Sequence, residues 1–504
     1  MLRKFRIAIA SIFFIGITLL FIDFTGVAHV FLGWMAKIQF LPALLAVNFG
    51  VVLGLVALTL IFGRVYCSVL CPLGVFQDIV SWISGTRKKH HFRFNYSHEK
   101  KWLRIAVFII FAVSLIAGVS AFFTLLAPYS AYGRIASNLF APLYRWGNNI
   151  FAYFAERADS YTFYNIDVWI KSLTTFTIAV ATFAILAFLA WKNGRTYCNT
   201  ICPVGTLLGY LSKYSFFCIK IDISRCNKCG LCSRKCKAAC IDGKIHRIDY
   251  TRCVMCMDCL DTCKHGAIKY VLRYGSKKET VNEQKGTNEN NENRVTDESR
   301  RQFIISTAIL ATSTALSSQE KAVDGGLATI MEKEKPQRAT SITPPGSISL
   351  RHFSQHCTAC QLCISACPND VLRPSTNLNT FMQPEMAYDR GYCRPECNKC
   401  SMVCPTGAIT PIDIAEKSST QIGHAEWIRK NCIAVNGVKC GNCARHCPAG
   451  AILMVPLNPD DENSPRIPTI NTERCIGCGA CEYHCPARPF SAIYVEGHER
   501  HRTI

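Results

Sequence analysis

Acidic residues are scarce in this chain: 35 Asp and Glu stand against 56 Lys and Arg in 504 residues, a net charge of +21. The imbalance does not point to nucleic acid, and no nucleic-acid partner is expected, because much of the basic excess flanks long apolar runs, where Lys and Arg mark the cytoplasmic side of a membrane. No Cys-x-x-Cys-His occurs, which excludes covalent c-type haem. No small-x-small cleavage site follows the first apolar run, which argues against a removed signal peptide. What the chain does have is apolar surface and cysteine, 49% and 30 residues respectively. Its length exceeds one core, and most of its cysteines fall in Cys-x2-Cys-x2-Cys-x3-Cys groups, a spacing suited to metal clusters rather than to disulfides.

One stretch occurs twice. Gly63-Arg64-Val65-Tyr66-Cys67-Ser68-Val69-Leu70-Cys71-Pro72-Leu73-Gly74 returns as Gly194-Arg195-Thr196-Tyr197-Cys198-Asn199-Thr200-Ile201-Cys202-Pro203-Val204-Gly205, with seven of twelve positions identical. Each copy follows a long apolar run, so the repeat puts Cys67, Cys71, Cys198 and Cys202, the candidate catalytic residues, at one face of a membrane. Within a copy the i, i+4 spacing allows both thiols on one helix face, with Pro72 or Pro203 opening a new helix as its first residue. The two pairs together suit a shared cluster or a redox role. A quinone-pocket lining and a purely structural turn remain open as alternatives.

Arg3, Lys4 and Arg6 precede an apolar run from Ile7 to about Ile22, which places the N-terminus inside. Leu41 to Phe62 is long enough to cross a hydrocarbon core of about 30 Å. The loop after it holds the first repeat and then Arg87, Lys88, Lys89, Arg93, Lys100 and Lys101, which agrees with a cytoplasmic side. Leu103 to Leu126 crosses outward and Leu173 to Trp191 returns. Ala127 to Lys171 is then an external segment in which Tyr129, Tyr132, Arg134, Tyr144, Arg145 and Trp146 form either a polar-handled aromatic pocket or an interfacial belt. His90, His91 and His98 are expected at the surface. The expected fold is an α-helical membrane domain of four or five spans (1–215) with α+β ferredoxin-like modules. After the membrane domain come a cytoplasmic two-cluster ferredoxin module (216–274), a polar linker (275–298), an Arg300-Arg301 leader or fifth span (299–318), a Ser/Thr/Pro-rich linker (319–350) and a periplasmic four-cluster ferredoxin domain (351–504).

The first module carries Cys226, Cys229, Cys232 and Cys236, then Cys253, Cys256, Cys259 and Cys263. In bacterial-type ferredoxins three cysteines at this spacing wrap one [4Fe-4S] cubane and the fourth ligates the other cluster. The expected sets are Cys226, Cys229, Cys232 with Cys263, and Cys253, Cys256, Cys259 with Cys236. Lys237 and Lys264 stand where proline usually follows the fourth cysteine, and Cys240 is an alternative to Cys236. Structural zinc is the rival, since it also takes four thiolates. The C-terminal domain has four further groups: Cys357, Cys360, Cys363, Cys367; Cys393, Cys397, Cys400, Cys404; Cys432, Cys440, Cys443, Cys447; and Cys475, Cys478, Cys481, Cys485, each ending in Cys-Pro. Six [4Fe-4S] clusters follow, with a seventh possible at the repeats. Cys218 reads as an ordinary apolar thiol.

With its two Cys-x3-Cys-Pro repeats and two-cluster module, the stretch from residue 1 to about 275 resembles the NapH family, the membrane quinol dehydrogenase subunit of the periplasmic nitrate reductase system. Residues 299–504, with a twin-arginine pattern and four clusters, resemble the NapG family, its periplasmic partner. The resemblance implies oxidation of menaquinol or ubiquinol from the quinone pool of a bacterial inner membrane, with electrons passed to a periplasmic reductase or cytochrome. It also implies nested pairing outside, the first group with the fourth, so that Cys485 would complete the set of Cys357, Cys360 and Cys363; sequential pairing would use Cys404. Export by the twin-arginine route suits a domain that folds around its clusters first, and the leader is expected to stay as a span. The rivals are an assembly factor resembling the Cys-x3-Cys-Pro proteins that reduce copper for oxidase maturation, and a membrane redox sensor.

Overall fold

The computed structural model describes residues 2–86, 94–160, 162–274, 323–324, 328–329, 331, 333–460 and 464–504. The linker 275–298, the leader 299–318, and His90 and His91 lie outside the described residues. Residues 2–212 run α1 (Leu2–Ile22), three short helices (Val27–Leu32, Trp34–Lys37 and Phe40–Leu45), α2 (Phe49–Phe62), α3 (Val65–Val69), α4 (Pro72–Gly85), α5 (Lys101–Ile116), α6 (Ser120–Leu126), α7 (Pro128–Ile135), a π-helical turn (Ala136–Phe140), α8 (Ala141–Arg157), α9 (Leu173–Asn193), α10 (Thr196–Thr200) and α11 (Pro203–Ser212). By length and composition two of these, α1 and α9, can cross a membrane.

The other two expected spans are interrupted. Leu41 to Phe62 breaks at 46–48, where Val47 takes a positive φ of 54° and the Asn48 side chain restarts the helix by accepting from the Val51 amide at 3.3 Å. Leu103 to Leu126 breaks at Gly118, whose φ of +72° is open to glycine and ends α5 two residues before α6 begins. Both breaks carry ordinary capping signals inside apolar runs, which hydropathy alone does not register.

The two long helices are bracketed by the same two modules. At the start of α1, Arg3 pairs with Asp258 at 2.8 Å; near its end, the Phe21 ring and the Cys360 carbonyl of the C-terminal domain both lie against Gly133. At the start of α9, Lys171 donates to the Ile364 carbonyl at 3.0 Å and pairs with Asp370 at 3.1 Å. At its end, the Arg195 amide donates to the Lys237 carbonyl at 2.8 Å. Residues 226–263 therefore sit at one end of both helices and the C-terminal domain at the other, about 30 Å of helix apart at 1.5 Å per residue. One apolar core runs continuously from α1 and the repeats into Cys357, Cys360 and Cys363.

In the first module β1 (Phe217–Ile221) pairs antiparallel with β2 (Ile268–Leu272), closing the two cysteine loops against each other and burying Cys218 as an ordinary strand thiol. In the C-terminal domain three antiparallel pairs are formed by Leu372–Pro374 with Pro384–Met386, Ile452–Pro456 with Arg466–Ile470, and Thr420–Trp427 with Ile493–Thr503. The expected linker 319–350 needs correction. From Lys333 onward it belongs to this domain: Arg338 makes a buried ion pair with Glu482 at 2.6 Å, and the Thr340 amide donates to Glu496 at 2.6 Å. Its Ser/Thr/Pro composition reads as a linker because the residues that hold it lie more than a hundred positions downstream.

Candidate iron-sulfur sites

The seven identical positions of the repeat each have a structural task. Gly63 and Gly194 end α2 and α9 at φ of +78° and +69°, where a side chain would be strained. The arginines cross over: Arg64 Nη2 donates to the Cys198 carbonyl at 3.2 Å, and Arg195 Nη1 to the Cys67 carbonyl at 2.6 Å. Tyr66 and Tyr197 anchor each copy to its surroundings, through Gln39 Oε1 at 3.1 Å and the Leu126 carbonyl at 3.2 Å. Pro72 and Pro203 open α4 and α11 as their first residues, as expected. Gly74 and Gly205 lie so close to the Cys67 and Cys198 carbonyls that a methyl group would overlap them. The two thiols of a copy do not share one helix face. Each short helix ends after its first cysteine, and Cys71 and Cys202 become the N-caps of the next helix.

The cross-over brings all four cysteines together in the interior, each 4–6% exposed. Burial raises the Cys71 thiol, and charges on Cys198 and Cys67 raise it further; Cys202 is raised by burial and then by Cys198, Cys71 and Cys67. Donors surround the sulfurs: Gln77 Nε2 reaches Cys198 Sγ at 3.2 Å, the Gly205 amide reaches Cys202 Sγ at 3.3 Å, and Arg64 Nη2 reaches Cys67 Sγ at 3.7 Å. Arg64 is fully buried, and its guanidinium donates to Asn199 Oδ1, the Thr251 and Cys198 carbonyls and that sulfur, none of them a carboxylate. A buried cation needs a counter-charge, and thiolates at these four sulfurs would provide one.

The site is joined to the first module by a buried charge network. Asp78 Oδ1 pairs with Arg195 at 2.7 Å and Lys237 at 3.1 Å, its Oδ2 with Arg6 at 3.1 Å, and Lys237 continues to Asp258 at 2.9 Å. Burial would raise the Asp78 carboxyl, but these three cations outweigh it and hold it well below the usual carboxylate range. Lys237, which replaces the usual proline, is thus the bridge between repeat and module. The roles of Asp78, Gln77 and Asn199 have no local sign in the sequence because their partners, Arg195, Cys198 and Arg64, lie more than a hundred residues away.

Within the module, Cys226, Cys229, Cys232 and Cys263 line one small cavity, as expected. Cys236 faces Cys253, Cys256 and Cys259, each close enough for its charge to be felt. Cys240 stands beside the same set, its Sγ 3.6 Å from Cys236 Sγ, and that hydrogen bond lowers the Cys236 thiol. Cys236 and Cys240 thus both stand beside Cys253, and either can serve as the fourth thiol of this set.

In the C-terminal domain the pairing is sequential, which corrects the nested expectation. Cys357, Cys360 and Cys363 gather with Cys404, while Cys393, Cys397 and Cys400 line a cavity with Cys367. Cys475, Cys478 and Cys481 line one with Cys447, and Cys432, Cys440 and Cys443 gather with Cys485. The physical reason is that the one-turn helix after each triplet (Leu362–Ala366 and Lys399–Val403; Asn442–Arg445 and Ala480–His484) packs on that of its sequence neighbour, carrying each Cys-Pro across to the neighbouring loop. Among the described residues no three His, Cys, Asp or Glu side chains converge as a single ion requires. Three of the six sets line small cavities, an arrangement that suits a cubane better than zinc with its Zn–S bonds of about 2.3 Å.

The six external residues divide. Tyr129, Tyr132 and Arg134 are fully buried, Tyr144 and Trp146 are exposed on α8, and Arg145 lines a cavity. Arg134 donates to the Thr124 and Leu125 carbonyls at 2.8 and 3.4 Å, one residue from the Leu126 carbonyl that Tyr197 uses. Gly133 beside it lies directly on the Cys360 carbonyl. A chain of contacts thus joins Cys198 and Cys202 to Cys360. His98 is exposed.

Residues 44–90 and 174–224 match a family described as a 4Fe-4S binding domain, one match over each copy of the repeat. Residues 356–408 and 436–488 match a 4Fe-4S dicluster domain, each match holding one sequential pair apart from Cys432. Among curated proteins the chain is 31% identical over 99 residues to the uncharacterized protein MJ0749 of Methanocaldococcus jannaschii, covering 19% of this chain and 39% of that one. It is 31% identical over 149 residues to the methylamine utilization ferredoxin-type protein MauM of Methylobacillus flagellatus, covering 28% and 61%. It is 30% identical over 167 residues to the ferredoxin-type protein NapF of Escherichia coli K12, covering 32% and 89%. The chain thus spans less than two thirds of the first two of these relatives. No solved structure matches it. With cysteine sets built for clusters and this kinship, the chain is an iron-sulfur electron-transfer protein and belongs to the ferredoxin-type [4Fe-4S] proteins related to NapF and MauM.

Proposed function

We propose that the protein is a conduit across a bacterial inner membrane that draws electrons from menaquinol or ubiquinol and delivers them to a periplasmic reductase or cytochrome, a NapH-like half fused to a NapG-like half. The observation that carries this reading is the placement of two cysteine modules at opposite ends of α1 and α9, with the four repeat cysteines enclosed between them. In this reading α1 and α9 are spans, α2 and α5 with α6 are two further, broken ones, and the leader outside the described residues is a fifth. Residues 226–263 face the cytoplasm and residues 333–504 the periplasm.

The six proposed cluster sets are those the geometry gathers, and the seventh is Cys67, Cys71, Cys198 and Cys202. A bound [4Fe-4S] cluster supplies a one-electron acceptor and donor. The chain's own residues position and insulate these sites. Arg64 and Arg195 lock the two repeats against each other, Asp78 and Lys237 clamp the first module to them, and the Tyr197, Leu126, Arg134 and Gly133 contacts keep the interior packed up to Cys360.

The test is anaerobic. The protein is purified in detergent, iron and sulfide are counted, a reduced menaquinone analogue is added, and cluster reduction is followed spectroscopically. Iron for seven clusters and rapid reduction are expected. Full loading without reduction by quinol would overturn the reading and move it toward assembly or sensing.

A further inference from the structure

A cavity lies where the π-helical turn meets the C-terminal domain. It holds about 120 Å³ of water-accessible space, smaller than a typical drug-sized site, and opens at its mouth. Its walls are mixed. Phe176 and Trp169 provide ring surfaces; Asn138, Gln361 and Arg145 provide polar ends. Asn138 Nδ2 donates to Gln361 Oε1 at 2.8 Å, which fixes that amide's orientation and leaves Gln361 Nε2 without a partner although the residue is only 2% exposed. Arg145 Nε is likewise unpartnered. An orphaned buried donor costs stability unless something fills the place, and both residues line one cavity. The π turn, a feature that concentrates at functional sites, is what turns Ser137 and Asn138 toward the other domain, where Ser137 shares a 3.0 Å hydrogen bond with Ser365.

Three surroundings name the ligand class. The cavity wall at Gln361, Ile364 and Ser365 belongs to the loop and helix that carry Cys360 and Cys363, so a ring held there adjoins the first external cysteine set. Its other side is the start of α8, whose Leu143, Trp146, Ile150, Phe151 and Phe154 are exposed in the manner of a helix lying in a membrane interface. Behind Trp169 a second, wider and polar cavity, lined by Asp167, Asp370 and Asp389, opens to water. Lipid-side entry, ring walls, donors for two oxygens, an adjacent electron acceptor and a wet exit for protons are the requirements of one kind of substrate.

We propose that this cavity is the site at which a quinol is oxidised, an inference that rests on the quinol-linked reading above. Both O–H bonds of the bound quinol break and both oxygens become carbonyls. Clusters held by the Cys357, Cys360, Cys363, Cys404 set and the Cys393, Cys397, Cys400, Cys367 set would each supply a one-electron acceptor for its two electrons; its two protons leave through the polar cavity, and the product departs as quinone.

The test uses the full-length protein in detergent, an azido-menaquinone for photolabelling, and menadiol as reductant. Label is expected on peptides 137–145 and 361–365 and is competed away by unlabelled menaquinone analogue. Gln361→Met and Arg145→Leu should each weaken labelling and raise the half-saturating menadiol concentration about tenfold, the loss of roughly one hydrogen bond to a buried partner. Iron content and reduction by dithionite should stay unchanged. Label elsewhere, in protein that menadiol still reduces, overturns the site and leaves the conduit standing. Absence of both label and reduction in the wild type overturns the conduit itself. Should a variant lose iron, the wild-type label map decides.

Discussion

The two copies of the cysteine repeat are built alike and charged differently. Arg195 of the second copy meets a carboxylate, Asp78, supplied by the first copy's following helix. Arg64 of the first copy reaches for the corresponding place in the second and finds Gly209, with Arg104 Nη2 and the Thr251 carbonyl packed against it and no space for a side chain. One arginine is neutralised by protein, while the other depends on whatever negative charge the four sulfurs hold. The lesson is that the scaffold is symmetric where geometry has to be shared, and asymmetric where the first module has to dock on one side only.

The harshest way to break the comparison is Asp78→Asn. It leaves Arg6, Arg195 and Lys237 clustered without their shared carboxylate, and stripping a buried ion network of one partner costs about 3–5 kcal/mol. A lowered denaturation midpoint is expected, together with release of the first module, visible as proteolysis near β1. An unchanged midpoint would mean the network is solvated and idle.

Arg64→Met comes next. If the four sulfurs carry a cluster, its loss removes charge-assisted hydrogen bonds of about 1.5–3 kcal/mol, and the iron count should fall by one cluster's worth while the six ferredoxin sets stay loaded. If the repeat is only a structural turn, the same substitution relieves an unpaired buried cation and should raise stability at unchanged iron. The two readings thus predict opposite signs.

Much of this arrangement was legible beforehand because iron-sulfur ligands are local. The spacing of Cys226, Cys229 and Cys232 dictates a loop, and Cys263 lines the same cavity. The repeat itself was visible residue by residue. What could not be read was set by partners far along the chain. Four groups with the same Cys-Pro ending carry no local sign of which neighbour each crosses to, so the sequential partner Cys404 emerged only from helix packing. Arg338 looks like a linker residue until Glu482 is beside it. The breaks at Asn48 and Gly118 did have local signals, and hydropathy outweighed them.

A milder pair of substitutions tests the shared geometry. Gly74→Ala and Gly205→Ala each push a methyl into the carbonyl of the same copy's first cysteine, and overpacking of this kind costs about 1–3 kcal/mol. The two losses should match in thermal denaturation if the repeat is symmetric at its backbone. A large difference would place the asymmetry in the fold rather than in the charges.

The smallest expected effects separate the tyrosines. Tyr66→Phe removes a hydroxyl that donates to Gln39 Oε1 and accepts from the Phe40 amide, both at 3.1 Å, so it strands two buried groups. Tyr197→Phe removes one donor to the Leu126 carbonyl at 3.2 Å. At about 1 kcal/mol per hydrogen bond, the first should destabilise roughly twice as much as the second. Electron delivery should follow the reverse order, because only Tyr197 lies on the contact chain through Arg134 to Cys360. Stopped-flow reduction of the C-terminal domain in vesicles, monitored after dithionite is added on the side of the first module, checks this. Equal slowing by both variants would show that packing, and not that chain of contacts, governs passage.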